Sequence, residues 1–435
     1  MSNPDFPSAL RALKHRNFRL FFGGQLVSLT GTWMQSIAQA WLVYRLTDSA
    51  ILLGLVGFLG QIPVFLLAPL GGTMADRHDR RRILIATQSI AMLLALTLAL
   101  LALTASVQVW HVFVLAAMLG LVNAFDIPAR QAFVVDMVGR SDLMNAIALN
   151  SSMFNGARVV GPAVAGALVA VVGEGWCFFI NGVSYLAVLA SLLSMRIESR
   201  VRVPLPGSVL ANIAEGFGFV WRTKPIRALL MLLGLVSLMG MPYAVLMPIF
   251  ADRVLGGGAR ELGLLMGASG IGALAGALTL ATRRNLRGLG RWVAFSSAGF
   301  GLSLILFSLS RTFWLSAALL APVGFCMLVQ MASSNTLIQA MVPDNLRGRV
   351  MAVYSMMFMG MAPIGALFAG TLATYIGAPA TVAIGGAVCI AGAIAFGMHL
   401  PALRDEARQI VIALQAAGGT PVDEMTGGAS VIAPK

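Results

Sequence analysis

The residues with the most distinctive chemistry form a short charged link between two long apolar segments. The segments 51–70 and 83–109 contain no Asp, Glu, Lys or Arg. The charged residues of the link are Asp76, Arg77, Asp79, Arg80, Arg81 and Arg82. Charges this dense cannot lie in hydrocarbon, so the link must lie at a membrane surface, and its positive sign indicates the cytoplasmic one. A carboxylate in such a link can bind free helix N–H groups or a cation, which is chemistry suited to a gate.

A single arginine, Arg158, lies near the middle of a later apolar segment. A charge at the centre of a bilayer costs at least about 2.5 kcal/mol, so this side chain should face a cavity or a partner. One interpretation is that Arg158 binds an anionic group of a substrate or controls the pKa of a nearby carboxylate. The other is that it pairs with backbone carbonyls or with Asp126 and so fixes two neighbouring helices. The sequence does not decide between the two.

Acidic residues inside the apolar segments are scarce. Of the 17 Asp and Glu residues, Asp126 is the one that lies clearly within such a segment, near its cytoplasmic end. It is a candidate ion-pair partner for Arg77 or Arg80. Asp76 and Asp126 are also the candidates for a carboxylate that changes its protonation state during coupling to protons. The residues themselves do not show that such coupling occurs.

The composition places these charges in a polytopic membrane protein. Hydrophobic residues make up 58% of the chain and charged residues 11%, whereas soluble domains carry about a quarter charged residues. Runs of about 20 apolar residues, long enough to cross about 30 Å of hydrocarbon as helices, recur along the chain. The alternation typical of a β-barrel is absent, which predicts an all-α fold. The net charge of +13 is spread over separate loops, so we expect no nucleic-acid partner.

The apolar pattern predicts twelve membrane-spanning helices and four regions. These regions are an N-terminal six-helix bundle (1–198), a cytoplasmic linker with a short amphipathic helix (199–224), a C-terminal six-helix bundle (225–400) and a disordered cytoplasmic tail (401–435). The predicted spans are 18–43, 50–74, 83–106, 109–131, 143–172, 176–195, 226–250, 260–282, 290–310, 312–340, 347–374 and 378–400. Most of the 30 Lys and Arg residues fall in alternate loops, which predicts that both termini are cytoplasmic.

The two halves also repeat in sequence. Leu-Val-Ser-Leu-Thr-Gly at 26–31 returns as Leu-Val-Ser-Leu-Met-Gly at 235–240. Several pairs in the segment 137–166 recur at one offset in the segment 341–370. Two parallel, pseudo-symmetric halves are typical of transporters that hold their substrate between two bundles.

Together, these features resemble the major facilitator superfamily. Gly72, Asp76, Arg77, Arg80 and Arg81 match its motif A, with Asp79 in place of the usual later Gly. The segments 126–132 and 155–162 resemble the efflux branch that contains enterobactin exporters and macrolide-efflux proteins. The resemblance covers residues 10–400 and implies a monomer in the bacterial inner membrane. It also implies that Asp76 faces the start of the eleventh span, near 346–351, where Arg349 is a further partner.

A second match concerns the fifth span. Gly156, Gly161, Pro162 and Gly166 resemble motif C, a signature of antiporters in the superfamily, although Ala165-Gly166 stands where two Gly are usual. Small residues on one helix face allow close helix contact, and Pro162 permits a bend. The alternative is ordinary packing of small residues without a role in antiport.

Polar and aromatic residues of spans one, four, seven and ten are the candidates for the lining of a central cavity. They are Gln25, Trp33, Gln35, Gln39, Asn123, Tyr243, Gln330 and Asn335. The alternative for each polar residue is a hydrogen bond between helices. With 24 Met and 23 Phe residues, the cavity should be apolar and adaptable, which suits large amphipathic compounds. No nucleotide-binding motif is present, and we expect no cofactor and no metal site.

The function that fits best is that of a secondary transporter, not an enzyme. It would export an amphipathic small molecule, such as a drug or a siderophore, by alternating access and in exchange for protons. One alternative is an importer or facilitator of a small metabolite on the same fold. Another is a membrane sensor or scaffold that transports nothing, although the loops are too short for an output domain.

Overall fold

The computed structural model describes residues 8–139, 141–196, 209–282 and 288–416, and within these ranges it is helical without β-strands. Thirteen helices follow a short 3₁₀ helix, Ser8–Lys14. They are α1 Arg16–Thr47, α2 Ala50–Arg77, α3 Arg80–Leu103, α4 Val109–Val138, α5 Leu143–Val172, α6 Glu174–Ser194, α7 Val209–Arg222, α8 Lys224–Val254, α9 Ala259–Ala281, α10 Leu289–Leu309, α11 Phe313–Met341, α12 Leu346–Ile376 and α13 Ala378–Ala416.

The predicted all-α membrane fold is confirmed. In the described part of the chain, 11 helices are long and apolar enough to cross a membrane. The first helix, α1, is 32 residues long but is not among them, because Gln, Ser and Thr residues interrupt its apolar sequence. The count of twelve spans therefore stays a prediction.

The predicted disordered tail is wrong at its start, since α13 continues through Pro401 to Ala416 and buries Val411. The rest of the tail lies outside the described residues.

Helix packing repeats between the two halves. In the N-terminal half, α1 packs on α5 and α6, α2 packs on α4, and α3 packs on α4 and α6. In the C-terminal half, α8 packs on α12 and α13, α9 packs on α11, and α10 packs on α11 and α13. The order of partners is the same, so the sequence repeat corresponds to a repeat in space. Helix α7 lies between the halves in the chain and packs on the start of α12.

Two helices of the C-terminal half are irregular near the middle. Helix α8 changes to a π-helical turn at Val236–Gly240 and then to a 3₁₀ turn at Met241–Ala244. Helix α12 has a π-helical turn at Met356–Gly360. The irregular parts of α8 and α12 pack on one another. Such turns loosen the regular hydrogen-bond ladder and occur frequently at functional sites.

The linker side is the surface at which α2 ends at Arg77 and on which α7 lies. The opposite side is the surface at which α1 ends at Thr47. Near the opposite side, glycines join the halves through two helix pairs. A Cβ at Gly54 of α2 would lie 3.2 Å from the Cα of Gly370 of α12, and one at Gly166 of α5 would lie 3.0 Å from the Cα of Gly263 of α9. Backbones approach this closely because no side chain separates them.

We predict that Gly54→Val destabilises the protein, because its side chain would enter the space occupied by Ala366 and Gly370. Overpacking of this kind costs about 1–3 kcal/mol. The matched control is Gly23→Val on α1, where an added Cβ meets no atom within 4 Å. Unfolding of the purified protein in detergent measures both changes. Equal midpoints for the two variants would contradict the importance of this contact.

Candidate functional site

Arg158 lies between the two halves of the protein. Its guanidinium carbon is 5.8 Å from the centre of the Trp33 ring on α1, and Nη2 is 4.0 Å from Sδ of Met327 on α11. On the backbone side, the carbonyl of Arg158 faces Gly270 of α9, where an added Cβ would lie 3.0 Å from its oxygen. Among the described residues, no carboxylate forms an ion pair with Arg158. The predicted pairing with Asp126 is therefore wrong.

Aromatic side chains extend the surface beside Arg158. Phe154 lies one turn earlier on the same face of α5, and its ring meets that of Trp33 edge to face at 5.6 Å between centres. Phe154 is 45% exposed. The arrangement combines one cation with an apolar wall.

Four of the predicted cavity residues are buried in the helix packing. The Tyr243 hydroxyl forms a hydrogen bond of 2.9 Å with Oγ of Ser269, and Gln35 accepts one of 2.6 Å from Asn181. Gln25 and Gln330 are buried, and each leaves one side-chain polar atom without a partner. For Gln35 and Tyr243, the structure thus supports the alternative of a hydrogen bond between helices.

The other four predicted cavity residues are partly exposed. Trp33 meets Arg158, as described above. Asn335 accepts a hydrogen bond from Gln339 on its own helix. The last two, Gln39 and Asn123, have intermediate exposure. Of the eight candidates, Trp33 is the one placed in contact with the unpaired cation.

Asp126 is held inside the N-terminal half. Its Oδ1 accepts hydrogen bonds from Gln88 at 2.7 Å and from Thr87 at 2.9 Å, and its Oδ2 lies 3.3 Å from Arg130 one turn later. Asp126 is 2% exposed. The predicted pair with Arg77 or Arg80 is therefore wrong. Three polar partners satisfy this carboxylate and tie α3 to α4.

Arg80 instead pairs with an acid that the sequence analysis did not single out. Its Nη1 lies 3.2 Å from Asp136 and donates to the carbonyl of Ala132 at 2.7 Å, while Nη2 lies 3.3 Å from Asp76. Asp136 follows Asp126 by ten residues, a rise of about 15 Å along α4. The end of α2 meets the end of α4, which brings Asp136 rather than Asp126 to Arg80. The fourth span was predicted to end at residue 131, whereas α4 continues to Val138, so the sequence placed Asp136 outside the helix that carries it.

Other residues of the charged link stabilise helix ends. Arg81 donates to the carbonyls of Leu192 and Leu193 at the end of α6. Asp79 accepts from the backbone N–H groups of Arg81 and Arg82 and caps the start of α3. This cap gives a physical reason for Asp at the position where motif A usually has Gly. Arg77 is exposed, and nothing is within 4 Å of an added Cβ at Gly72.

The predicted contact between Asp76 and the start of α12 is not made in this structure. The Asp76 side chain is 56% exposed, and its carboxylate forms an ion pair with Arg80. Arg349, near the start of α12, is 2.5 Å from Glu215 of helix α7. An added Cβ at Gly216 would lie 2.7 Å from the Arg349 carbonyl oxygen. The linker helix therefore packs closely on the residue that Asp76 was predicted to meet.

Charged side chains do connect the halves on the opposite side. The Tyr44 hydroxyl donates to Asp252 at 2.6 Å, and Arg253 forms an ion pair with Asp48. We call these four residues the opposite-side gate. The sequence analysis singled out none of these four residues. These contacts supplement the glycine pairs Gly54–Gly370 and Gly166–Gly263, and together they hold this side shut.

Three of the four motif C-like residues take part in helix packing. Gly161 faces α1, where an added Cβ would lie 2.9 Å from the Thr30 carbonyl oxygen. The carbonyl of Pro162 faces Gly263 of α9, and Gly166 meets the same helix. An added Cβ at Gly156 meets nothing within 4 Å. The geometry supports the packing interpretation, and a role in antiport is not shown.

Two helical halves, closed on one face and carrying an unpaired cation between them, define a membrane transporter of the major facilitator type. The model of the transmembrane secretion effector family matches residues 7–423. The chain therefore belongs to that family, whose members are transporters and not enzymes.

Curated relatives match over most of their length. The staphyloferrin A transporter of Staphylococcus aureus is 25% identical, with 86% of this chain and 94% of the relative covered. The multidrug efflux pump Tap of Mycolicibacterium fortuitum is 28% identical, with coverage of 87% and 94%. The enterobactin exporter EntS of Shigella boydii is 26% identical, with coverage of 82% and 85%.

Solved structures share the fold. The nucleoside transporter NupG has a TM-score of 0.67 at 14% identity and covers 90% of this chain and 99% of its own. A bacterial homologue of the human lysosomal transporter Spinster has a TM-score of 0.66 at 16% identity, with coverage of 92% and 98%. At this identity, the likeness concerns the fold alone.

We predict that Arg80 and Asp136 are energetically coupled. Arg80 is 11% and Asp136 16% exposed, and hydrogen bonds to charged groups at such sites are worth about 1.5–3 kcal/mol. A double-mutant cycle with Arg80→Gln and Asp136→Asn, followed by unfolding in detergent, measures the coupling. The control cycle uses Arg82 and Asp79, whose arginine is 88% exposed, and should give well under about 1 kcal/mol. Similar coupling in both cycles would refute the assignment.

Proposed function

We propose that this protein is a secondary active exporter of an amphipathic small molecule, such as a drug or a siderophore. The observation that carries the proposal is the unpaired Arg158, which lies with Trp33 and Met327 between halves that are joined on the opposite side. The similar proteins, among them an efflux pump and an exporter, support the direction of transport. We further infer that the protein acts as a monomer in the bacterial inner membrane, with both termini and the linker side in the cytoplasm.

The geometry fits one state of an alternating-access cycle. The opposite-side gate and the glycine pairs hold the outer face shut, whereas Asp76 is exposed on the linker side. A substrate would enter from the cytoplasm and reach Arg158. Export then requires the opposite-side gate to open while the linker side closes. An importer on the same fold would use the same two states, so direction must be measured.

The linker side would close through an exchange of partners at Arg349. In the present state, Arg349 binds Glu215 of α7. In the closed state, Asp76 would reach the start of α12, bind its free N–H groups and take the place of Glu215 beside Arg349. Because Asp76 changes its environment in this scheme and Asp126 is held by three partners, Asp76 is the better candidate for proton coupling.

This exchange predicts opposite effects for two neutral substitutions. Asp76→Asn should lower transport and keep the linker side open, whereas Glu215→Gln should favour its closure by freeing Arg349. The distance between spin labels at His78, directly after α2, and Thr282, directly after α9, measures the opening. Asp405→Asn on the exposed face of α13 is the control. Wild-type transport and an unchanged label distance in Asp76→Asn, with normal membrane insertion, would exclude the exchange.

The export proposal predicts lower accumulation of a substrate in cells that contain the protein. A panel of amphipathic drugs and siderophores is compared in cells with and without the chain, and with and without a proton uncoupler. We expect outward movement that the uncoupler abolishes, because protons moving inward would drive export. Inward movement would support the importer, and uncoupler-insensitive movement would exclude proton antiport. No movement of any compound, from a protein that is inserted normally, would favour the sensor or scaffold.

A further inference from the structure

Arg158 lies midway along α5, a membrane-spanning helix, and no carboxylate or backbone carbonyl among the described residues compensates its charge. Arg130 lies beside Asp126, and Arg80 at the end of the span pairs with Asp136 and Asp76. The guanidinium of Arg158 contacts the face of the Trp33 ring and the sulfur of Met327. A cation–π contact and a thioether offset little of the cost of removing a guanidinium from water. The protein alone therefore leaves this charge largely uncompensated.

The surroundings of Arg158 also offer an apolar surface. Phe154 and Trp33 form an edge-to-face pair, and Phe154 remains 45% exposed. Phe154 and Arg158 are four residues apart and so share one face of α5. Met327 approaches from α11 in the other half, and Met side chains adapt to irregular partners. A ligand that fits the surroundings of Arg158 carries an anionic group next to an aromatic or aliphatic body.

From this geometry, we propose that Arg158 binds a carboxylate of the substrate, with Trp33, Phe154 and Met327 in contact with its apolar part. The planar guanidinium matches a carboxylate with two parallel hydrogen bonds, which lysine cannot form. The inference rests on the proposed transport function but concerns the chemical class of the substrate. It holds for an exporter and for an importer alike.

The position of Arg158 gives this contact a second consequence. Arg158 belongs to the N-terminal half, whereas Met327 and the facing Gly270 belong to the C-terminal half. A carboxylate bound here lies at the contact between the halves. When α5 moves relative to α9 and α11, the groups around the carboxylate change. Substrate binding can therefore favour one of the two states of the transport cycle.

The test uses the purified full-length protein in detergent and two probes of nearly the same shape, 1-naphthylacetate and its neutral amide, 1-naphthylacetamide. Quenching of tryptophan fluorescence reports binding. We expect the wild-type protein to prefer the acid by about tenfold or more, the range expected of a charge-assisted pair. Arg158→Gln should abolish the preference, and Arg158→Lys should retain only part of it. Arg408→Gln, an exposed arginine on α13, should keep it in full.

Protein stability distinguishes binding from a structural role. If Arg158 serves the substrate, Arg158→Met removes an uncompensated charge, and the ligand-free variant should unfold at the same temperature as the wild type or above it. If Arg158 fixes helices through its charge, the same variant should unfold at a lower temperature. A lower unfolding temperature, or an acid preference that survives in Arg158→Gln, would overturn the proposal. Failure of export in cells would leave this binding result unaffected.

Discussion

Contact between helices at glycine is the constraint on which the rest of this structure depends. Gly166 of α5 meets Gly263 of α9, and Gly54 of α2 meets Gly370 of α12. In lipid, the hydrophobic effect gives little reason for apolar helices to associate, so close packing and polar contacts must hold the halves together. The glycines permit that packing on the opposite side. Further along the contact between α5 and α9, the backbone of Arg158 meets Gly270. The packing that closes one face therefore also places the charge of Arg158 between the halves.

The polar contacts follow a related rule. Asp126 is compensated within one half by Thr87, Gln88 and Arg130. These contacts hold α3 and α4 together within the half, because breaking them would leave a buried charge without partners. By contrast, the opposite-side gate joins the two halves, and three of its four members, Asp48, Asp252 and Arg253, are at least partly exposed. Contacts with access to water are cheaper to exchange. A half whose helices are held together and an exchangeable gate are what movement between two states requires.

Several candidate functional residues were recognisable in the sequence, but their partners were not. The sequence marks Asp76, Asp126 and Arg158 as charges that need compensation. It paired Asp126 with Arg77 or Arg80, whereas the structure pairs Asp126 with Arg130 and Arg80 with Asp136. The error lies in register, since α2 reaches α4 ten residues further along than expected. Half of the predicted cavity residues are buried between helices, because the rotation of each helix about its axis decides which residues face a neighbouring helix.

Sequence alone determined that the chain is an all-α membrane protein, which loops carry positive charge and that the halves repeat. Each of these depends on the transfer of individual residues between water and lipid, which is a local property that composition records. Tertiary structure decided that the opposite side is shut, that Glu215 rather than Asp76 binds Arg349 and that Arg158 lies beside Trp33 and Met327. These contacts depend on the rotation and depth of helices that are distant in the chain, and no local pattern encodes them.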